Sequence, residues 1–233
     1  MSEFFKFEDA TRDFPYYKHN PKLSKNAWIV LLLTIPISFI AYMMVGLESE
    51  MAGSILFVLV MLVPLMYYSN WDISLLFHKP TKGEIKLAVM LFIGYMIYAI
   101  AVGEILEVIG QASTATGDYL GVTWEMLFAL VFSMLGEELV KFIPLMFLMR
   151  FVYKYTSNRK LAIVVSTAIV LIFFGLLHYD AEVTPILSVL LIQGLGSIFE
   201  LYGYIKTKNI FVPYLCHLLT DGLIFLMMLI GLA

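Results

Sequence analysis

Residues 128–149 read FALVFSMLGEELVKFIPLMFLM, an apolar run interrupted by Glu137, Glu138 and Lys141. The run is long enough to cross a bilayer, which takes about 20 residues of helix. An ionised carboxylate held at that depth costs about 3 kcal/mol or more, so such residues are rare and mark polar interiors. Two adjacent glutamates with a lysine one turn later therefore point to a functional site whose partners lie on other helices. On a helix, Lys141 stands at i+4 from Glu137 and i+3 from Glu138, so it can reach either carboxylate. The two glutamates diverge by about 100° around the axis, so one can face a cavity while the other packs sideways. A salt bridge that only locks helices together would satisfy one glutamate and leave the second without a partner.

Outward from this stretch, the chain is 61% hydrophobic and 14% charged, a balance that excludes an ordinary soluble domain. Seven apolar segments of membrane-crossing length are readable, at 27–47, 51–68, 86–109, 121–150, 161–179, 183–204 and 210–232. The fold class is all-α: a polytopic membrane protein of about seven transmembrane helices. Residues 27–233 form the transmembrane domain, and residues 1–26 form a cytoplasmic or interfacial arm. Phe4, Phe5, Phe7, Tyr16 and Tyr17 of that arm are available to lie against headgroups. The arm lacks the short apolar core and cleavage site of a secretory signal.

Basic residues sort by connection. Arg12, Lys18, Lys22 and Lys25 precede the first span, and Lys79, Lys82 and Lys86 flank the second connection. Arg150, Lys154, Arg159 and Lys160 flank the fourth, and Lys206 and Lys208 the sixth. The other connections carry Glu48, Glu50, Asp118, Asp180 and Glu182 without Lys or Arg. By the positive-inside rule the N-terminus is cytoplasmic and the C-terminus external. The third connection, QASTATGDYLGVT, reads as a mobile external loop. With charges sorted by side, the net charge of −3 says nothing of partners. No basic patch interleaved with aromatics points to nucleic acid, and the lone Cys216 excludes an intrachain disulfide.

Two more spans carry polar pairs. The fifth has Phe174 and His178 one turn apart in FFGLLHYD, and the seventh has His217 and Asp221 one turn apart in YLCHLLTDGL. Counting about 1.5 Å per residue, Glu138 lies roughly 18 Å from Arg150, while Asp221 and His217 lie about 20 and 14 Å from Lys208. These share mid-bilayer depth. His178, about 27 Å from Lys160, sits higher and needs tilt or a late helix start to join them. Glu104 and Glu107 read as interfacial, Glu200 lies towards the cytoplasmic end of the sixth span, and Gly194 and Gly196 permit close helix packing.

Two carboxylates and two imidazoles in a helix-enclosed site suit peptide hydrolysis. A carboxylate takes a proton from water, one imidazole orients that water, and another donates to the oxyanion. The HExxH of zincins is absent, neither Ser133 nor Ser197 has a nucleophile's glycine-rich setting, and Asp221 is the only intramembrane aspartate. Zinc on Glu137 or Glu138 with His178 and His217 remains chemically reasonable.

The ordered trio Glu137-Glu138, Phe174-xxx-His178 and His217-xxx-Asp221, on three spans, resembles the CPBP family of CAAX-protease and bacteriocin-processing membrane proteins. The likeness covers residues 120–225 or so and includes GYIKTKNIFVPYLCHLLTDGL. It implies a metal-independent glutamate protease with no cofactor, in which Glu137 and His178 activate water and His217 with Asp221 forms the oxyanion side. Glu138 would support them, with Lys141 and Phe174 as further motif positions. Two departures stand out. The family's arginine would fall at Phe142, and the cation is instead Lys141, the EExxK form of PrsW-type proteases. Asp221 replaces the asparagine of CAAX enzymes, and since an ionised aspartate repels an oxyanion, it is either protonated or, the preferred reading, serves to charge and orient His217.

The resulting expectation is an intramembrane endopeptidase of a bacterial-type plasma membrane, acting on a peptide or membrane-protein substrate. Its rivals are a non-catalytic scaffold that holds a partner membrane protein in the same cavity, and a proton-coupled channel or carrier. Oligomeric state is not legible.

Overall fold

The computed structural model describes residues 3–18, 21–113 and 121–231. Its helices are α1 (Lys25–Gly46), α2 (Glu50–Tyr68), α3 (Lys82–Val108), α4 (Trp124–Thr156), α5 (Arg159–Leu176), α6 (Ile186–Thr207) and α7 (Phe211–Leu229). Six of them are long and apolar enough to cross a membrane. The other, α4, is the longest at 33 residues and is the one that carries Glu137, Glu138 and Lys141. The seven expected spans are thus all helices, and the molecule is an all-α polytopic membrane protein.

The helix ends follow local chemistry. Ser24, Ser49, Thr81, Thr123 and Asn158 each accept a backbone N–H from the first turn of the helix they open, and Thr81 with Glu84 closes a reciprocal capping box. Left-handed residues stop α4 at Ser157 and α6 at Lys208, so both helices reverse within a few residues into their successors. The α1–α2 hairpin packs on α4, α4 packs on α5 and α7, and α3 leans on α6 and α7. Lipid takes the rest: α3 buries only Ala88 and Leu106 within the protein, while Ile97 and Ile100 are exposed. An apolar surface this extensive is stable only against hydrocarbon.

Two elements depart from the expected spans. The fifth was expected to run to 179, but α5 ends at Leu176. There the N–H groups of Leu177, His178 and Tyr179 turn back to carbonyls three residues earlier, tightening the chain out of the helix. The sixth is not uniform. Ile186–Val189 is α-helical, Leu190–Gly194 is a wide π turn, Leu195–Ser197 a tight 3-10 turn, and Ile198–Thr207 is α-helical again. At this irregularity α6 meets α5 backbone to backbone. A Cβ on Gly175 would lie 2.8 Å from the Val189 carbonyl oxygen and 2.9 Å from Gly194 Cα. The close packing expected of Gly194 is therefore met, with Gly175 as its partner.

The N-terminal arm does not lie among headgroups along its whole length. Phe14, Tyr16 and Tyr17 are buried within the protein. Tyr16 bonds Ser69 Oγ at 2.6 Å and stands edge-on to Trp28 and Phe142. Glu8 is clamped by both terminal nitrogens of Arg159 at 2.7 Å and by Lys208 Nζ at 2.8 Å. With Ile210 N–H bonded to the Leu76 carbonyl, this gathers the arm and the α2–α3, α4–α5 and α6–α7 connections at one end of the bundle. Those are the basic segments, so the sorting of charge by side is preserved in three dimensions. Most of the loop expected between the third and fourth spans, residues 114–120, lies outside the described residues.

Candidate active site

α4 turns its two glutamates to different surroundings. Glu138 and Lys141 are buried at 3% and 1% exposure, whereas the Glu137 side chain retains 23%. The lysine ammonium bridges Glu138 Oε1 on its own helix and Glu200 Oε2 on α6. No ion pair joins it to Glu137 among the described residues. Spacing alone allowed either glutamate as the partner. Packing chose Glu138, and a carboxylate from another helix took the place spacing had offered to Glu137.

By sequence Glu200 falls near the cytoplasmic end of its span, with lining the site only the minor reading. The only signal available was a charged residue on the α6 face that also carries Gln193 and Ser197. Glu200 is buried, and Gln193, Ser197 and Glu200 line one cavity.

The imidazole of His217 sits among four carboxylates, those of Glu137, Glu138, Glu200 and Asp221. Nδ1 is 2.9 Å from Glu138 Oε1, a hydrogen bond that fixes Nδ1 as the donor. Nε2 faces the opposite way, 3.7 Å from Glu137 Oε2 and 3.6 Å from Asp221 Oδ2. The ring's orientation is thus set by Glu138 and not, as expected, by Asp221. The physical reason is reach: one helical turn leaves Asp221 beyond hydrogen-bond distance, whereas Glu138 meets the ring across the α4–α7 contact.

His178 reaches the site because α5 ends early. Its Nδ1 lies 2.9 Å from the Phe174 carbonyl oxygen, which also accepts the Leu177 N–H, so Nδ1–H donates to that carbonyl and Nε2 keeps the lone pair. The Phe174 ring lies between the cation and both imidazoles. Lys141 Nζ is 4.5 Å from its centroid, His178 meets it at 4.8 Å and His217 at 6.5 Å, both edge-on.

Glu137, Phe174, His178, His217 and Asp221 border one cavity of about 280 Å³. A second hollow of about 430 Å³ meets it at Glu137, His178 and Asp221. Larger hollows exist, one of 540 Å³ between α1, α4 and α5 and one of 810 Å³ beside the arm, but neither contains a residue of this cluster. Size is a poor guide here, and the convergence of ionisable groups is the better one. Gln193, unremarked in the sequence, lines the smaller cavity, and its Oε1 is buried without a hydrogen bond. It stands in the π turn of α6, a distortion that recurs at functional sites.

Ligand atoms of Glu138, Glu200 and His217 lie within 4.8 Å of one another, a spacing that suits a metal ion. The Lys141 ammonium, however, already contacts both carboxylates. A divalent ion would have to displace it. His178, which the zinc alternative required, is not in that group.

Comparison with known proteins reaches the half of the chain that carries this cluster. A family model described as "Type II CAAX prenyl endopeptidase Rce1-like" matches residues 119–223. The membrane-embedded CAAX protease MroQ of Staphylococcus aureus (strain USA300) is 25% identical over 177 residues, covering 74% of this chain and 69% of that protein. No solved structure matches. These matches support a membrane protease-type function. Taken with the three ordered motifs and the one cavity they border, they support a likeness to the CAAX-protease and bacteriocin-processing (CPBP) family of polytopic membrane proteins.

Proposed function

We propose that the chain is an intramembrane glutamate-type endopeptidase of a bacterial-type plasma membrane, cleaving a peptide or membrane-protein substrate. The observation that carries this reading is the division of the two glutamates. Glu138 is consumed by Lys141 and His217, while Glu137 borders the cavity together with His178 and Nε2 of His217. In this mechanism Glu137 takes a proton from a water oriented by His178 Nε2, and the water oxygen attacks the scissile carbonyl carbon. His217, acting as the imidazolium with Nδ1–H held by Glu138, donates from Nε2–H to the oxyanion, and on collapse of the tetrahedral intermediate the C–N bond breaks and Glu137 returns the proton to the leaving amine. Glu138 and Lys141 act by position, in the EExxK form that PrsW-type proteases use. No step passes through a metal.

General-base catalysis contributes about 10²–10⁴ in rate. Glu137→Gln and His178→Ala should each lower cleavage by at least about 100-fold while the protein accumulates normally, and chelators should leave the wild-type rate unchanged. Substrates are found by comparing membrane proteomes of cells expressing wild type and Glu137→Gln. Undiminished cleavage in both variants would sink the protease reading. A partner membrane protein that co-purifies equally with wild type and Glu137→Gln, with no cleavage in either, would establish the scaffold instead.

A further inference from the structure

The two hollows at the cluster extend from it in one direction only. The larger is lined along α4 by Met126, Leu130, Ser133, Met134 and Glu137, a single helical stripe descending from the start of that helix. Tyr42 near the end of α1 and Glu50 at the start of α2 close its far side. The smaller one is bounded on α7 by His217, Thr220, Asp221, Ile224 and Phe225, a stripe that runs on towards that helix's C-terminus. The helix start at Trp124, the α1–α2 turn and the end of α7 all lie at the end of the bundle opposite the basic connections.

Towards the basic end the way is shut. Below Lys141, Phe142 meets Tyr204 edge-on at 5.4 Å and Tyr16 at 6.2 Å, and Phe14 packs on Tyr204 at 5.7 Å. Of these rings, Tyr16 is 0% exposed and Tyr204 2%. None of the four lines either hollow.

We infer that the site opens to the external face, and that its substrate is a peptide segment presented from that side: an external loop, juxtamembrane stretch or outer-leaflet end of a membrane protein. The inference builds on the endopeptidase reading above. A segment held in the cytoplasm meets the arm and the aromatic layer before it meets Glu137. The lining also indicates character. The outer hollow carries Glu50, Glu137 and Asp221 among Phe39, Phe57 and Phe225, with no lysine or arginine. An apolar segment, neutral or basic, fits it better than an acidic one.

Thiol accessibility tests this without any turnover. In a Cys216→Ala background, Met126→Cys marks the mouth, Ser133→Cys the interior of the hollow, and Thr156→Cys the far end of α4. A membrane-impermeant maleimide is then applied to intact cells and to permeabilised ones. Ser133→Cys should be labelled in intact cells together with Met126→Cys, and Thr156→Cys only after permeabilisation. Labelling of Ser133→Cys only after permeabilisation, or from neither side, would overturn the inference. So would a mouth reached only from the inside. Because labelling needs no catalysis, a labelled Ser133→Cys beside a fully active Glu137→Gln would retain the external opening and remove the protease.

Discussion

Lys141 is the residue on which the cluster depends. It is 1% exposed, held by Glu138 and Glu200, and covered on another side by the Phe174 ring. Removing one partner of a buried ion pair costs about 3–5 kcal/mol because the charge left behind is uncompensated. Lys141→Met should therefore lower the thermal midpoint in detergent sharply, and Lys141→Met/Glu200→Gln should recover part of the loss. An equal midpoint for the single and double variants would show that Glu200 is not the lysine's partner. Arginine's planar fork suits two carboxylates better than an ammonium does. Yet the family's position for it is Phe142, whose ring here forms the aromatic layer with Tyr16 and Tyr204. The cation stands one residue earlier because that face of α4 meets α6.

The element that most shapes the cavity is α6. Its π turn places Gln193 and Ser197 on the cavity wall above Glu200, and the contact between Gly175 and Gly194 keeps it against α5. A Cβ at Gly194 would lie 2.9 Å from the Leu171 carbonyl oxygen, a backbone atom that cannot step aside. Overpacking of this kind costs about 1–3 kcal/mol. Gly194→Ala and Gly175→Ala should lose stability and cleavage together. Gly222→Ala, with nothing within 4 Å of its added carbon, should keep its thermal midpoint. Hydropathy made the sixth span legible but not its π turn. A 22-residue apolar segment reads alike whether its hydrogen bonds close at i−4 or i−5, and only the close approach of α5 selects between them.

Across the whole molecule, the arm ties the basic end of the bundle together. Burial would raise the Glu8 carboxyl, but the Arg159 and Lys208 contacts outweigh it and hold the group below the usual glutamate range. Burial, with the neighbouring Arg159 charge, holds Lys208 below the usual lysine range despite Glu8, while Arg159 meets Glu8 through two nitrogens. A carboxyl depressed on folding contributes stability at pH above its unfolded value of about 4.3 and loses it as pH falls towards the folded value. The thermal midpoint should decline below about pH 4, and Arg159→Leu should be less stable near neutrality with a flatter acid limb. An unchanged acid limb in that variant would show that another carboxyl sets it.

What the sequence determined by itself was the membrane class, the seven apolar segments, the sorting of charge between the two faces, and the three motifs with their order. Each is a property of residue type and short-range spacing: hydrocarbon selects apolar runs of a given length, and a helical turn links i to i+4. Tertiary structure decided the partnerships. Lys141 pairs with Glu200, fifty-nine residues away, Glu138 rather than Asp221 orients His217, and His178 joins the cavity because α5 stops two residues short of it. The arm became part of the protein's core on the same ground. Which charges meet inside a bundle depends on how helices rotate and cross, and that is settled by the best packing of all seven together. No single helix carries that information in its own periodicity.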